Sequence, residues 1–369
     1  MKISLLLPDM RGGGAERVNL LLLREFLSRG YDVDLVLLQK QGELLNQLPV
    51  KTRIIDLRSA RIRQGLMPLV RYLRDHRPDA LLVSMWPLTT LAVIAAKAAQ
   101  FSGRVVLSEH AALTKSPVSK GWSGRALKAS MRWVNWHAND VVGVSNGVIE
   151  DLHKLGLPAA IGKTIYNPIE ISSKTTVPDD WLTHPWMRSP HSSRVIAVGS
   201  LKHQKDYPTL LLAIKRVVDS GREVSLLILG TGPLLEELEE RRRILALESH
   251  VHFGGFVPDP GPFYRAAALF VLSSAYEGFG NVIVEALAAG TPVVSTDCIS
   301  GPAEILNYGQ YGRLVGVGDE AQLADAIMDC LDNPLESKML IERSADFLPD
   351  VIATQYLEVL LKSDVSQFV

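Results

Sequence analysis

The sequence predicts an α/β protein built from two doubly wound, parallel-sheet domains, and three observations carry that expectation. Short apolar runs alternate with helical periodicity in both halves; the alternation breaks once, over residues 168–193; and the glycine-rich turns fall where a strand hands over to a helix. At 369 residues, 47% hydrophobic and 21% charged, the chain is long enough for two cores.

In the first half, strands are expected at 3–7, 31–38, 53–57, 80–84, 104–108, 140–145 and 163–166, with a first helix over 15–28 stopped by Gly30. Residues 88–101 read as an apolar core helix, too short and too charged at Lys97 to cross a bilayer. The segment 168–193, rich in Pro, Ser and Thr, reads as a connection between a domain at 1–167 and one at 194–369. Strands then recur at 194–198, 223–229, 250–253, 268–273, 292–295 and 312–315, and the last helix is a candidate to pack back on the first domain. Two such domains place a ligand at the carboxyl ends of their strands.

The run 3–7 before Pro8 and Asp9 is too short for the core of a signal peptide. Cys298 and Cys330 match no disulfide framework or metal-ligand spacing, so they read as small buried hydrophobes in a reducing, cytoplasmic setting.

The chemistry concentrates in AYEGFGNVIVEALAAG. Glu277 ends a loop after an apolar strand, and Glu285 lies about one turn inside an otherwise apolar helix, where a carboxylate needs a partner. Gly278 and Gly280 remove side chains between them, so the backbone N–H groups of Phe279, Gly280, Asn281 and Val282 are placed to meet an anion at the positive end of a helix. The carboxylates suit sugar or ribose hydroxyls instead. Two more glycine turns follow strands, at Gly12-Gly13-Gly14 and at Gly230-Thr231-Gly232; neither has the G-x-G-x-x-G spacing of a dinucleotide site.

Charge divides the chain. Residues 1–170 hold 23 Lys and Arg against 14 Asp and Glu, whereas residues 171–369 hold 16 against 26. Residues 111–139 contain no acid, and Arg125, Lys128 and Arg132 alternate there with Trp122, Trp133 and Trp136; a second cluster includes Arg61 and Arg63. Such clusters fit an anionic membrane surface or a lipid-linked diphosphate, and the alternative is a solvated helix face with tryptophans in the core. Nucleic-acid binding is disfavoured by the acidic remainder and the lack of a reading motif.

Taken together, GGGAERV, the SEH around His110, VGSLKHQKDYPTLLLAI, LLILGTGPLLEEL, VHFGGFVPDP, the Glu277–Glu285 stretch and SGPAEIL resemble family 4 of the glycosyltransferases, over nearly the whole length. That resemblance implies a GT-B fold of two Rossmann-like domains and retaining transfer of a hexose or N-acetylhexosamine. The donor would be a nucleoside-diphosphate sugar, with UDP favoured, and the acceptor a lipid-linked saccharide, in cell-surface polysaccharide or glycan synthesis. It also implies no metal requirement, and no other cofactor is expected; the basic clusters with their tryptophans predict a peripheral place on the inner face of the cytoplasmic membrane.

By the same resemblance Glu285 holds the donor ribose, Glu277 lies near the transferred sugar, and Phe279, Gly280 and Asn281 form the amide turn around sugar and distal phosphate. Lys205 neutralises the diphosphate, Gly13 and Gly14 belong to a loop closing over the phosphates, and His110 stands near the transferred sugar. Base contacts fall to backbone around Gly255, Phe256 and Val257. Where the family carries Arg, this chain has Ser200; either Lys202 supplies the missing charge or Ser200 donates one neutral hydrogen bond. A sugar-nucleotide epimerase and a non-catalytic nucleotide-sugar-binding subunit are the competing readings.

Overall fold

Two all-parallel sheets organise the chain, and the computed structural model describes them over residues 1–115, 126, 129–134 and 136–361. The first contains β1 (Lys2–Leu7), β2 (Asp32–Leu37), β3 (Arg53–Asp56), β4 (Ala80–Ser84), β5 (Arg104–Glu109), β6 (Asp140–Gly143) and β7 (Lys163–Thr164), in the order β3-β2-β1-β4-β5-β6-β7. The second contains β8 (Arg194–Val198), β9 (Ser225–Leu229), β10 (Val251–Gly255), β11 (Leu269–Leu272), β12 (Val293–Thr296) and β13 (Arg313–Val315), in the order β10-β9-β8-β11-β12-β13. Both sheets therefore reverse direction of winding between their first and fourth strands, β1/β4 and β8/β11. At such a switch point the outgoing loops diverge and leave room for a ligand.

The strands read as continuous apolar runs because crossover helices cover both faces of each sheet. β4 is buried at every residue, as are β9 and β11. The first core joins Ile3, Leu5 and Leu7 of β1 to Val18, Leu22 and Phe26 of the Gly14–Ser28 helix. The second joins Val195 of β8 and Ile228 of β9 to Leu210 and Ile214 of the Tyr207–Asp219 helix. Helix 88–101 of the sequence reading forms as Leu88–Ala99, and no helix among the described residues is long and apolar enough to cross a membrane.

The chain divides into residues 1–169 with 347–369 as one unit, and residues 170–346 as the other. The final helix, Pro349–Leu360, puts Ile352, Tyr356 and Leu360 into the first core, and Arg29 ties it to the first helix by donating to Asp350 O at 2.6 Å and Thr354 Oγ1 at 2.9 Å. Apolar residues on this helix need burial, and the first unit supplies the matching surface.

Segment 168–193, expected as an irregular connection, departs from that reading. From residue 170 it belongs to the second unit, carries the short helix Pro185–Arg188, and buries Trp186 completely. The Trp186 indole N–H donates to Val195 O at 3.0 Å, and the Arg194 guanidinium lies 5.9 Å from its ring centre. Composition marked the absence of regular structure, but one large aromatic ring anchors the stretch to β8. Trp186→Ala should therefore lower the unfolding free energy of the second unit by about 3–5 kcal/mol, measured by denaturant unfolding; a change below 1 kcal/mol would mean that the segment only lies on the surface.

Candidate active site

In the second unit, the loops leaving β8 and β11 meet at the switch point. Gln204 and Lys205 follow β8, and Ser274 and Glu277 follow β11. Lys205 Nζ lies 2.6 Å from Glu277 Oε1, with the two side chains 14% and 8% exposed. Ser274 Oγ donates to the same oxygen at 2.6 Å, while Gln204 Nε2 reaches Glu277 Oε2 at 3.3 Å and Tyr276 O at 2.9 Å. Backbone completes the junction, because Ala275 N donates to Gln204 O and Ser273 Oγ to Lys205 O. Glu277 is thus a buried carboxylate with three side-chain donors. Burial, and then its negative charge, push the Tyr207 hydroxyl above its usual range and the Cys298 thiol up to about 12.

Glu285 occupies the fifth position of the Asn281–Ala288 helix, which begins after Gly280 without a side-chain cap. Gly280 has φ 103°, a left-handed turn that brings the chain from the Glu277 loop into the helix. Behind Glu285, the fully buried Tyr264 donates its hydroxyl to Oε2 at 3.0 Å. Burial, followed by the charge of Glu285, raises the Tyr264 hydroxyl well above its ordinary range. Tyr264 thus fixes one oxygen of the Glu285 carboxylate.

The remaining donor-site candidates lie on adjacent loops. Ser200 and Lys202 are exposed beside Lys205, whose N–H donates to Lys202 O at 3.0 Å. Phe256 is 60% exposed at the carboxyl end of β10, next to the partly buried Val257. Gly230 is explained by packing: its N–H already donates to Gly255 O at 2.7 Å, and a Cβ there would collide with Gly199 O. That amide is committed to joining strand ends, which removes it from phosphate binding. Gly278, Phe279, Asn281 and Val282 occupy the loop and the first helical turn between the two glutamates.

In the first unit, Gly13 precedes the Gly14–Ser28 helix at the end of β1, and His110 follows β5. Added Cβ atoms on Gly12 and Gly13 would strike the carboxylates of Glu43 and Glu16, respectively. Burial raises the Glu16 carboxyl above its normal range. Two acids beside this loop suit hydroxyls better than the phosphates that the sequence reading assigned to it. His110 Nε2 lies 3.1 Å from Ser108 Oγ, itself 3.1 Å from Tyr356 OH, so the last helix buttresses the histidine. Burial lowers His110 to about 4 and keeps it neutral near pH 7, with Nδ1 left without a partner.

Alternation along β5 turns Glu109 to the opposite face. Its carboxylate accepts from Trp86 N at 3.0 Å and Thr89 Oγ1 at 3.1 Å, linking β5 to the start of the Leu88–Ala99 helix. Burial raises Glu109 to about 7 against those two hydrogen bonds.

The two basic clusters also part company. Arg61 and Arg63 are exposed after β3, at the carboxyl end of the sheet. Arg132 and Trp136 precede β6, and Lys154 ends the helix that follows it, so these residues lie at the amino end. Together with Gly156 they line a cavity of about 450 Å³. Trp133 and Trp136 are 41% and 64% exposed, against a core role. Trp122, Arg125 and Lys128 fall outside the described residues. Among those described, no group of three or more His, Cys, Asp or Glu side chains is arranged to hold a metal ion.

The fold is that of the GT-B glycosyltransferases. A "Glycosyltransferase Family 4" model matches residues 12–173 and a "Glycosyl transferases group 1" model residues 192–333. The chain belongs to these glycosyltransferases, with one such domain in each half. It is 35% identical over 172 residues to the lipopolysaccharide core biosynthesis glycosyltransferase LpsE of Rhizobium meliloti, covering 45% of this chain and 49% of that protein. The match therefore spans about half the length of that relative. Similarity to the amylovoran biosynthesis glycosyltransferase AmsD of Erwinia amylovora is lower, 26%, but covers 94% of this chain and 96% of that one. HepE of Anabaena, solved with UDP-glucose, superposes with a TM-score of 0.81 at 23% identity over 98% of this chain and 100% of its own.

Glu109 carries a testable sign. Its folded-state pKa exceeds the ordinary carboxylate value, so the folded chain holds a proton that the unfolded chain has lost, and stability falls as pH rises from about 4.5 to 7. Glu109→Gln should match the parent near pH 4 and exceed it above pH 8, by at most about 3 kcal/mol. Denaturant unfolding at several pH values measures the gap; a constant gap would show that Glu109 does not titrate there.

Proposed function

We propose that the chain is a retaining glycosyltransferase that moves a hexose or N-acetylhexosamine from a UDP-sugar to a saccharide acceptor, lipid-linked, in the synthesis of a surface polysaccharide. One observation carries the reading: Lys205, Glu277 and Glu285 gather where β8 and β11 part, around the start of the Asn281–Ala288 helix. The assembly offers one cation and a helix N-terminus for a diphosphate, and two braced carboxylates for hydroxyls. UDP is favoured because HepE was solved with it, and a polysaccharide product because LpsE and AmsD bear those names.

Departure of the nucleoside diphosphate puts negative charge on its distal phosphate as the anomeric carbon becomes positive. Lys205 and the helix N-terminus oppose the first charge. Glu277 accepts sugar hydroxyls, Glu285 the ribose hydroxyls, and neutral His110 orients the sugar or the incoming hydroxyl. Retention follows the family resemblance, with the leaving phosphate taking the acceptor proton. No metal enters this scheme, and undiminished transfer in EDTA is its test.

Acceptor-dependent release of UDP from a UDP-sugar separates a transferase from an epimerase or a passive binding subunit. Lys205→Ala should cut that rate by about 10²–10³. If Lys202 supplies the charge missing at Ser200, Lys202→Ala should slow transfer as well; an unchanged rate makes it a bystander. A chain that releases no UDP with any saccharide acceptor would overturn the reading.

The reading places the first unit on the inner face of the cytoplasmic membrane. Exposed Trp133 and Trp136 beside Arg132 and Lys154 support it, since interfacial tryptophans and cations suit an anionic bilayer. Their position at the amino end of the sheet separates them from His110 and points to docking, leaving Arg61 and Arg63 nearer the reacting end. Arg132→Glu with Lys154→Glu should weaken flotation with phosphatidylglycerol vesicles at low salt by about thirtyfold or more, since the two lost cations are worth about 1 kcal/mol each. Equal flotation of parent and variant would sink the assignment.

A further inference from the structure

Lys205 is already neutralised before any donor arrives. Its ammonium lies 2.6 Å from Glu277 Oε1, and the pair is largely closed to water. A diphosphate that draws on this lysine's charge competes for it with Glu277. The reverse holds when products leave, because a carboxylate held at that spot competes for the same ammonium.

We propose that Glu277 acts as an internal competitor for Lys205: the donor's diphosphate displaces it, and after transfer Glu277 recaptures the lysine and helps to expel UDP. Gln204 and Ser274 are the positioning residues that make the exchange repeatable. Gln204 donates to Glu277 Oε2 and to Tyr276 O, and Ser274 to Glu277 Oε1. These neutral donors retain the carboxylate while the cation is away. A complete donor compensates the freed carboxylate with sugar hydroxyls, whereas UDP alone offers it nothing. The site thereby discriminates substrate from product, although both carry the same nucleotide and diphosphate.

The inference rests on the donor site proposed above and extends it to product release. Every ionisable side chain named around the pair fits this arrangement: Tyr207 and Cys298 stay protonated beside Glu277, leaving Lys205 as its cation.

The experiment measures calorimetric affinity of the intact protein for UDP and for inorganic pyrophosphate, which tests the diphosphate whatever the base. Glu277→Gln keeps the shape and removes the competing charge. It should bind both ligands roughly tenfold tighter than the parent, as expected when a charged hydrogen bond no longer has to be given up, and transfer should slow with stronger inhibition by UDP. Gln204→Met should leave UDP affinity within about twofold while raising KM for the UDP-sugar several-fold, a split that general loosening of the loop would not give. Unfolding temperature confirms that each variant is folded. Unchanged or weaker UDP and pyrophosphate binding by a folded Glu277→Gln overturns the exchange while leaving the donor site intact. A parent that binds neither ligand overturns both.

Discussion

A buried ion pair sets the terms for this molecule. Lys205 and Glu277 belong to loops from two neighbouring strands, 72 residues apart in sequence, and both are largely shielded from water. Removing either partner would strand the other at a cost of about 3–5 kcal/mol. The pair therefore holds the β8 and β11 loops together across the switch point. It is also the place where a ligand has most to gain, since a group that replaces one partner inherits a desolvated charge already aimed at it. Hydrogen bonds from Gln204 and Ser274 keep the carboxylate aimed without adding charge. Stability of the loop junction and readiness for an anion share one contact.

Glu285 solves a different problem with the same economy of parts. It lies on a helix whose other residues, Ile283, Val284, Ala286 and Leu287, are buried, so a carboxylate there needs a donor. Tyr264 provides it from a fully buried hydroxyl. That phenol fixes one carboxylate oxygen without itself supplying a counter-charge. The two glutamates, eight residues apart, thus differ in kind: one is braced by a cation and the other by a phenol.

The sequence displayed both sheets, the glycine turns and the two glutamates, because strand periodicity and helix starts are local properties. Partners across loops were not legible. Gln204 and Ser274 have no distinguishing residue type, and they matter only because parallel pairing of β8 with β11 brings their loops together. Tyr264 reads in sequence as one more aromatic core residue. Segment 168–193 misled for a related reason: prolines and serines report backbone irregularity, while burial of Trp186 depends on a surface formed far along the chain. Gly230 reads in sequence as a glycine turn between a strand and a helix, and its amide and its missing Cβ serve contacts with Gly255 and Gly199. Glycine marks close approach without saying to what.

Net charge gives the sharpest contrast between global and local evidence. The first half of the sequence is basic, but Glu16 and Glu43 flank its glycine loop and Glu109 is buried at the end of β5. The second half is acidic, yet Lys205 stands at its switch point. Screening reconciles the two, because at physiological salt a charge is felt over about 8 Å, so a loop responds to its neighbours and not to the sum over its domain. Surface cations such as Arg132 and Lys154 are then free to serve a separate purpose at the amino end of the first sheet. On the proposed donor site, a diphosphate would bind the acidic unit because the local cation and helix start outweigh a distant excess of carboxylates.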